Sequence, residues 1–255
     1  MEIRRLPPWC RSHAAHASEE PLRSSLTNNS RLARSTDHNQ TQRVFASSTR
    51  EMPKPAAAAV PKGWDVHVAY LHAPSYSNKL NSDKVCALIL AKPDLGPDAQ
   101  VYKTNGPYTN VKITPVSHAA HPAHGQHALY ANQQLAPDSF ILPYLGYVHD
   151  QSDLNPTSDY DLSLDRELGI GVDASTMGNE ARFINDYRGV SAAPNAEFRD
   201  IHVDIGNGKV EKRVGVFVLS AGKSGKRAKG IGRGQEILVS YGKGFWTERQ
   251  TAEEQ

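Results

Sequence analysis

The sequence predicts a mainly β fold of many short strands, with few and short helices. Its 255 residues include 16 prolines and 19 glycines, which favour frequent turns over long helices. Short segments in which apolar and polar residues alternate recur along the chain, and a period of two is typical of half-buried strands. The turn signal Gly206-Asn207-Gly208 lies between two apolar segments and predicts a β-hairpin.

The first half of the chain predicts three regular segments. Residues 65–70 alternate in polarity and are expected to form a strand. Residues 84–91 form an apolar run that is too short for periodicity to distinguish a buried strand from a short helix. Residues 111–116 alternate, and Pro115 restricts this strand to a sheet edge because proline has no N–H to donate.

The second half predicts the remaining strands. Each is a short apolar or alternating run next to a turn signal. They are 139–142 and 145–148 around a turn, 160–164, the hairpin pair 201–205 and 214–219, and 235–240.

Composition divides the chain into four parts. Residues 1–60 hold nine Arg or Lys against five Asp or Glu, a balance of +4, and few large apolar residues. This predicts a disordered basic N-terminal tail, with an organelle transit peptide as the alternative. Residues 61–110 are expected to flank and pack on a main domain at 111–246, followed by a C-terminal tail at 247–255.

Several classes of protein are excluded by the sequence. The longest apolar run, residues 85–91, is too short to span a bilayer, and the N-terminus lacks the apolar core of a secretory signal. We therefore expect a soluble, intracellular protein, nuclear or cytoplasmic. Two cysteines, Cys10 and Cys86, are too few for a disulfide framework or a cysteine-rich zinc cluster.

Three separated segments contain residues of mixed chemistry in a specific order. The first is GQHALYA at 125–131 with DSFILPYLG at 138–146. The second is VDASTMGNEARFIN at 172–185, followed by APNAE at 193–197. The third is GQEILVSYG at 234–242, with Phe245 and Trp246 just behind it.

In this order and spacing the segments resemble the SET domain of protein lysine methyltransferases. The first is similar to the family's Gly-x-Gly-Leu-Phe-Ala segment and Tyr-x-Gly strand, and the second to its Gly-Asn-x-Ala-Arg-Phe-Ile-Asn stretch. The third is similar to its Gly-Glu-Glu-Leu…Asp-Tyr-Gly end. The resemblance covers residues 111–246, roughly half the chain, and its middle segment is the most specific.

The resemblance implies a SET-domain β-clip fold of small sheets, in which the second and third segments form a pseudo-knot beside a site for S-adenosyl-L-methionine. It implies methyl transfer to a lysine of a protein substrate, with Tyr241 and Tyr144 as catalytic residues. The implied cofactor-binding residues are Gly125, Gln126, His127, Arg182, Phe183, Asn185, Asp186, Tyr241, Phe245 and Trp246.

The residue types suit this chemistry. Methyl transfer is an in-line displacement that requires alignment more than acid–base groups. Asn185 offers two donors and an acceptor, and the rings of Phe245 and Trp246 offer flat surfaces for an adenine. The structural alternatives are a core position for Tyr241 and Trp246, and a turn or cap role for Asn185.

The chain departs from the family pattern at several positions. His127 stands where the family has its second glycine, and Asp186 stands where it usually has histidine. Ser240 replaces the acid before Tyr241, and no cysteines follow it. The departures at His127 and Asp186 support the alternative function, a catalytically inactive SET-like module that binds a peptide or partner.

Three further features suggest partners. Residues 222–233 carry five basic and no acidic residues, which indicates either a solvated loop or a weak nucleic-acid or nuclear-targeting contact. Residues 138–173 hold eight acidic residues and one basic residue, which indicates either a surface that favours a basic substrate such as a histone tail or an ordinary solvated acidic face. Four histidines at 118–127 indicate a solvated loop, with a metal site as the alternative.

Overall fold

Short strands dominate the computed structural model of the chain, which describes residues 60–225 and 227–242. The strands are β1 (Ala69–Tyr70), β2 (Ser75–Tyr76), β3 (Ile89–Ala91), β4 (Val101–Tyr102), β5 (Val111–Pro115), β6 (His127–Ala131), β7 (Phe140–Tyr144), β8 (Tyr147–Asp150), β9 (Asp161–Asp165), β10 (Ile170–Asp173), β11 (Met177–Gly178), β12 (Asn185–Asp186), β13 (Ala196–Gly206), β14 (Lys209–Val218) and β15 (Leu238–Val239). Among these residues the helices are α1 (Ser82–Ala87) and 3₁₀ turns at Lys92–Asp94, Gln151–Asp153 and Glu180–Phe183. The expected mainly β fold with few short helices is confirmed.

The strands form several small sheets. The largest has the order β3-β14-β13-β4, and β7 also pairs with β14. A second sheet has the order β2-β8-β10-β9, and the remaining strands form the pairs β1-β11, β5-β6 and β12-β15. The main apolar core includes the fully buried Leu88, Leu129 and Leu142, so it receives side chains from the N-flanking segment and from the main domain.

The hairpin expected around Gly206-Asn207-Gly208 is present as β13 and β14. The two strands pair antiparallel from Ala196 opposite Val218 to Gly206 opposite Lys209, which makes them longer than the sequence predicted. An apolar pattern does not predict the full length of β14, because the strand contains the charged residues Glu211 and Arg213. Both are buried and pair with each other. A buried ion pair satisfies both charges, so an interior strand tolerates it.

Two N-terminal predictions change in the structure. The strand expected at 65–70 is reduced to β1, because Trp64 Nε1 donates to the Val68 carbonyl at 2.7 Å and closes a turn before it. The ambiguous run at 84–91 is divided between α1 and β3. Asn81 caps α1 by accepting from the Asp83 N–H at 2.7 Å, a contact that an apolar-run criterion does not detect.

The two strands expected around a turn at 139–148 are β7 and β8, and they enter different sheets. β7 pairs with β14, whereas β8 pairs with β10 and β2. At the change of direction, a Cβ on Gly146 would collide with the carbonyl of Asp173. The glycine therefore lets two backbone segments lie in direct contact.

The other predicted strands are found with modified ends. Residues 160–164 correspond to β9, and the 235–240 strand contracts to β15. Pro115 ends β5 at the margin of a two-stranded sheet, as expected for proline. Nearly all of the N-terminal tail (1–60) and the whole C-terminal tail (247–255) lie outside the described residues. No helix in the described part is long and apolar enough to cross a membrane.

Candidate functional site

A cavity of about 690 Å³ lies between the first, second and third segments of the resemblance and the N-flanking segment. A volume of this size is ordinary for a small-molecule site. Its lining includes Gln126, His127, Arg182, Phe183, Asn185, Asp186 and Tyr241 from the predicted site, and Gly63, Trp64, Asp65, His121, Pro122, Ala123, Asp159, Tyr160, Arg188 and Val190 in addition.

The second and third segments meet at this cavity through strand pairing. β12 lies parallel to β15, with Asn185 opposite Leu238 and Asp186 opposite Val239. Asn195 stabilises the third segment next to this strand pair. Its Oδ1 accepts from the Leu238 N–H and its Nδ2 donates to the Glu236 carbonyl, both at 2.8 Å. The pseudo-knot that the resemblance implies corresponds to this contact.

A buried carboxylate organises the side of the cavity around Asn185. Glu236 accepts from Asn185 Nδ2 at 3.0 Å through Oε1, while its Oε2 lies 3.1 Å from His121 Nε2 and 3.4 Å from the Tyr130 hydroxyl. Ala123 N–H donates to His121 Nδ1 at 3.0 Å. His121 Nδ1 is therefore an acceptor, and Nε2 carries the N–H that donates a hydrogen bond to Glu236.

Asp186 holds the chain at Tyr241 in place. Its Oδ1 accepts from the backbone N–H of Arg188, its Oδ2 from the N–H of Tyr241 at 2.8 Å, and Arg188 Nη1 reaches both oxygens. These four contacts use the lone pairs of the carboxylate. Within the protein, Arg188 is the counter-ion of Asp186.

Tyr241 lies at the cavity with its hydroxyl directed to the backbone. Its Oη donates to the Ile184 carbonyl at 2.7 Å. Burial raises the pKa of the Tyr241 phenol above its ordinary value, and nearby Asp186 adds to this effect. The hydroxyl therefore stays protonated near neutral pH, and its remaining lone pairs can accept a hydrogen bond.

Arg182 forms part of the cavity wall. Its Nε donates to the Ala174 carbonyl at 3.0 Å and its Nη2 to the Ser175 carbonyl at 3.2 Å. Its guanidinium lies 4.6 Å from the centre of the Tyr160 ring and 5.1 Å from that of Phe183. Arg182 thus holds two aromatic side chains against the β10–β11 connection.

Two polar residues beside Arg182 are completely buried. Asn179 accepts from the Leu145 N–H at 3.1 Å and donates to the Pro143 carbonyl at 2.8 Å, so it is a structural bridge to β7 and not a plain turn residue. Glu180 accepts from the Tyr70 hydroxyl and the Tyr108 N–H, both in the N-flanking segment. The Gly-Asn-Glu stretch therefore joins the flanking segment to the main domain.

The first segment of the resemblance contributes two of its three predicted residues to the lining. Gln126 and His127 line the cavity, and the His127 ring meets the Phe183 ring edge-on at 5.9 Å. Gly125 is exposed with φ of 82°, and a Cβ there would meet nothing within 4 Å. The positive φ favours glycine at this position, and its role toward the cofactor stays a prediction.

Tyr144 lies behind the cavity and is not among its lining residues. Its hydroxyl donates to the Tyr160 carbonyl at 2.7 Å, and its ring contacts Phe198 edge-on at 5.8 Å. Burial raises the pKa of the Tyr144 phenol well above its ordinary value. In this position Tyr144 supports the Tyr160 backbone, and its catalytic role stays a prediction. Phe245 and Trp246, the expected lid, lie outside the described residues.

Sequence reasoning missed four lining or supporting residues: Trp64, His121, Tyr160 and Glu236. Trp64 packs edge-on against Phe183 at 5.6 Å, although 119 positions separate them in the sequence. Glu236 lies in the third segment, and its match to an acidic residue of the family pattern could have indicated its role. His121 carried no signal beyond the cluster of histidines.

That histidine cluster separates into different environments. His118 and His124 are exposed, in agreement with the solvated-loop interpretation, whereas the His121 side chain is only 9% exposed and faces Glu236. Among the described residues, no group of three or more His, Cys, Asp or Glu could hold a metal ion.

The acidic stretch at 138–173 is mostly paired within the protein. Asp138, Asp150, Asp153 and Asp165 form ion pairs with Arg199, Lys84, Lys79 and Lys212, Asp161 faces His149, and Asp173 accepts from Ser158 and Ser175. Paired carboxylates offer little net charge to a ligand. The internal pairing therefore weakens the expected attraction of a basic peptide, which stays a prediction.

No family model matches the sequence, and no curated protein matches it significantly. Solved structures that are similar include Chaetomium thermophilum Polycomb Repressive Complex 2 bound to GSK126, at 22% identity and a TM-score of 0.40 over 58% of this chain and 18% of that chain. Another is KRYPTONITE in complex with mCHH DNA, H3(1-15) peptide and SAH, at 23% identity and a TM-score of 0.37 over 55% and 24%. The chain thus spans less than a quarter of the length of these structures.

Proposed function

We propose that this chain is an S-adenosyl-L-methionine-dependent protein lysine methyltransferase of the SET type. The observation that carries the proposal is the parallel pairing of β12 with β15 beside a cavity lined by Arg182, Phe183 and Asn185. Two segments that resemble one family, more than fifty residues apart in the chain, converge there on a single site.

The cavity fits a nucleoside-sized, zwitterionic cofactor. It combines aromatic walls from Trp64, Phe183 and Tyr160 with polar groups from Asn185 and Gln126. Apolar walls with a few fixed polar groups are the usual composition of such sites. His121, Glu236 and Asn185 form a network that fixes the amide of Asn185 before any ligand arrives.

The cofactor supplies an activated methyl group that a neutral lysine amine can attack. Tyr241 orients that amine. Its hydroxyl donates a hydrogen bond to the Ile184 carbonyl, so the phenol oxygen acts toward the amine N–H as an acceptor. Because its pKa is raised, Tyr241 does not act as the base. Asp186 fixes the Tyr241 backbone, and Arg182 keeps Tyr160 and Phe183 in the wall.

Calorimetry with S-adenosylhomocysteine tests the cofactor site directly. We expect saturable binding that is weakened at least tenfold by Asn185→Ala, with Asn155→Ala, at an exposed position outside the cavity lining, as the control. Mass spectrometry of histone and cytosolic protein mixtures incubated with S-adenosylmethionine then tests transfer. Absence of binding heat from the folded chain overturns the enzyme proposal.

A catalytically inactive SET-like module that binds a peptide or partner is the second candidate. Its support is the His127 ring, which occupies cavity space against Phe183 where the family has glycine. His127→Gly discriminates between the two candidates. A wild type that binds no cofactor, together with a variant that does, favours the inactive module.

We propose a lysine-containing protein as the substrate, with a histone tail as one candidate, and a nuclear or cytoplasmic location. We further propose that residues 1–60 form a tail, that residues 61–110 flank the catalytic domain at 111–246, and that Phe245 and Trp246 close the site. The contacts of Glu180 with Tyr70 and the Tyr108 backbone support the flanking role.

A further inference from the structure

A second cleft, of about 410 Å³, lies next to the candidate cofactor cavity and shares His121 with it. Two cations that are far apart in sequence line this cleft. They are Lys112 of β5 and Arg233, which ends the basic segment at 222–233, here called the basic loop. His118 adds an imidazole, and no carboxylate is among the described residues that line the cleft. The cleft therefore concentrates positive charge in a concave surface.

The cations of the cleft are available to a ligand. Lys112 and Arg233 are exposed, and neither forms an ion pair with an acidic residue in the described part of the chain. This contrasts with Lys79, Lys84 and Lys212, which are each held by a carboxylate. These three lysines are thus used internally, whereas Lys112 and Arg233 are not.

The basic loop is fastened beside the cleft. Ile231 is fully buried and exchanges two backbone hydrogen bonds with Leu135, at 2.9 and 3.0 Å. Gln134 donates to the carbonyl of Lys229, and the Arg227 guanidinium donates to the Ser220 carbonyl at 2.8 Å. The cationic surface therefore continues from the cleft onto residues 227–233, which have a defined position against 134–135.

Hydrogen-bond donors accompany the charges. Thr114, Ser117 and Asn132, which carry hydroxyl or amide donors, are among the residues that line the same cleft, and Asn132 Nδ2 also donates to the Thr109 carbonyl at 3.0 Å. In protein–nucleic acid complexes, most polar contacts to phosphate and sugar come from Arg and Lys together with Ser, Thr and Asn. The combination matches a phosphate ligand better than it matches a lone carboxylate.

We propose that this surface, defined by Lys112, His118, Arg233 and the basic loop, binds the phosphodiester backbone of a nucleic acid. Several cations along a continuous surface suit a polyanion with regularly spaced charges more than a single small anion. The basic balance of residues 1–60 adds positive charge to the same chain. The proposal is independent of methyl transfer, because neither Lys112 nor Arg233 lines the cofactor cavity.

An anionic membrane is the less suitable partner. Peripheral membrane binding combines basic residues with an apolar face that enters the lipid. The exposed large apolar side chains of the described residues are Val60, Val66, Leu90 and Leu154, and none lies in the segments that form this surface. A nucleic acid requires no such apolar face.

Fluorescence anisotropy with a labelled single-stranded DNA of about 20 nucleotides, measured with the full chain over a salt series, tests the proposal. The double variant Lys112→Gln/Arg233→Gln is expected to raise the dissociation constant about tenfold and to lower the salt slope by roughly 0.7 for each cation removed. The matched control, Lys103→Gln/Arg166→Gln, removes two exposed cations elsewhere and is expected to bind like the wild type.

Three outcomes overturn the proposal. The first is an equal loss of affinity in the two double variants, which means that net charge alone governs binding. The second is displacement of the DNA by polyglutamate as effectively as by unlabelled DNA of equal charge. The third is tighter binding to phosphatidylserine vesicles than to DNA. Circular dichroism of each variant verifies folding, and cofactor binding by the double variant stays unchanged if the two sites are separate.

Discussion

Asn185 donates a hydrogen bond to Glu236 at 3.0 Å across 51 positions of sequence, and this contact joins the two halves of the candidate site. The Glu236 side chain is 8% exposed and also faces the Nε2–H of His121. Glu236→Gln keeps an acceptor for Asn185 but turns an N–H toward His121. We expect a loss of about 2 kcal/mol in the free energy of unfolding and weaker S-adenosylhomocysteine binding.

Urea unfolding and calorimetry measure these two effects. Glu167→Gln, an exposed acid on a distant turn, serves as the control and is expected to change stability by less than about 0.5 kcal/mol. Nitrogen NMR of His121 gives a third reading, because wild-type protein should show the tautomer with its proton on Nε2. A proton on Nδ1 would contradict the network.

Asp186 links the backbone at Tyr241 to Arg188, so its charge is expected to affect activity through the position of Tyr241. Asp186→Ala removes the acceptor of the Tyr241 N–H and leaves Arg188 without its carboxylate. We expect faster hydrogen exchange at the Tyr241 amide and a fall in kcat. Asp186→Asn retains one acceptor oxygen and should recover part of the loss. Identical hydrogen-exchange rates at the Tyr241 amide in wild type and Asp186→Ala would argue against this role of Asp186.

Removing the Tyr241 hydroxyl tests its role toward the amine. In Tyr241→Phe the Ile184 carbonyl loses its donor, and the acceptor for the amine is absent. We expect kcat to fall at least tenfold, about 1.4 kcal/mol in the activation barrier, or the number of methyl groups added to change. Mass spectrometry of the product measures both effects. Tyr102→Phe, whose hydroxyl contacts Gln100, is the control. An unchanged rate and product profile removes Tyr241 from this role.

Several buried tyrosines predict that stability decreases in alkali. Burial is the largest cause that raises the pKa of Tyr70, Tyr108, Tyr144 and Tyr241 above the ordinary value of 10.0. Below pH 10 these phenols are protonated in both folded and unfolded chains. As the pH rises above 10, the unfolded chain ionises first, so unfolding becomes more favourable.

We therefore expect a constant Tm up to about pH 9.5 and a decreasing Tm above it. Tyrosinate absorption at 295 nm should rise for these residues together with the loss of circular dichroism. Ionisation of all the tyrosines in a chain that remains folded would contradict the assigned burial.

Gly146 tests the contact between β8 and β10. Gly146→Ala would push a Cβ against the Asp173 carbonyl, and backbone cannot yield as a flexible side chain does. We expect a loss of about 3 kcal/mol in the free energy of unfolding. Gly96→Ala is the matched control, because a Cβ at that position meets nothing within 4 Å. Equal melting temperatures for the two variants would disprove the close approach.

Local patterns were sufficient for the strand-rich fold and for several of its elements. The Gly206-Asn207-Gly208 turn defined the hairpin because φ is positive at all three residues, at 85°, 53° and 69°. Local patterns were insufficient where tertiary contacts determine the length of a strand or the sheet that it enters. The Trp64–Val68 hydrogen bond shortened one strand, and adjacent β7 and β8 entered different sheets.

For the candidate site, the sequence by itself determined residue types and order: Arg182, Phe183, Asn185 and Tyr241 follow a specific pattern and all line one cavity. Tertiary structure alone decided their partners. Asp186 pairs with Arg188 at the cavity edge, Tyr144 lies behind the wall, and His121 enters the network through Glu236. The physical reason is that lone pairs and donors are satisfied by whichever groups the fold brings within 3 Å, and sequence spacing does not encode that distance.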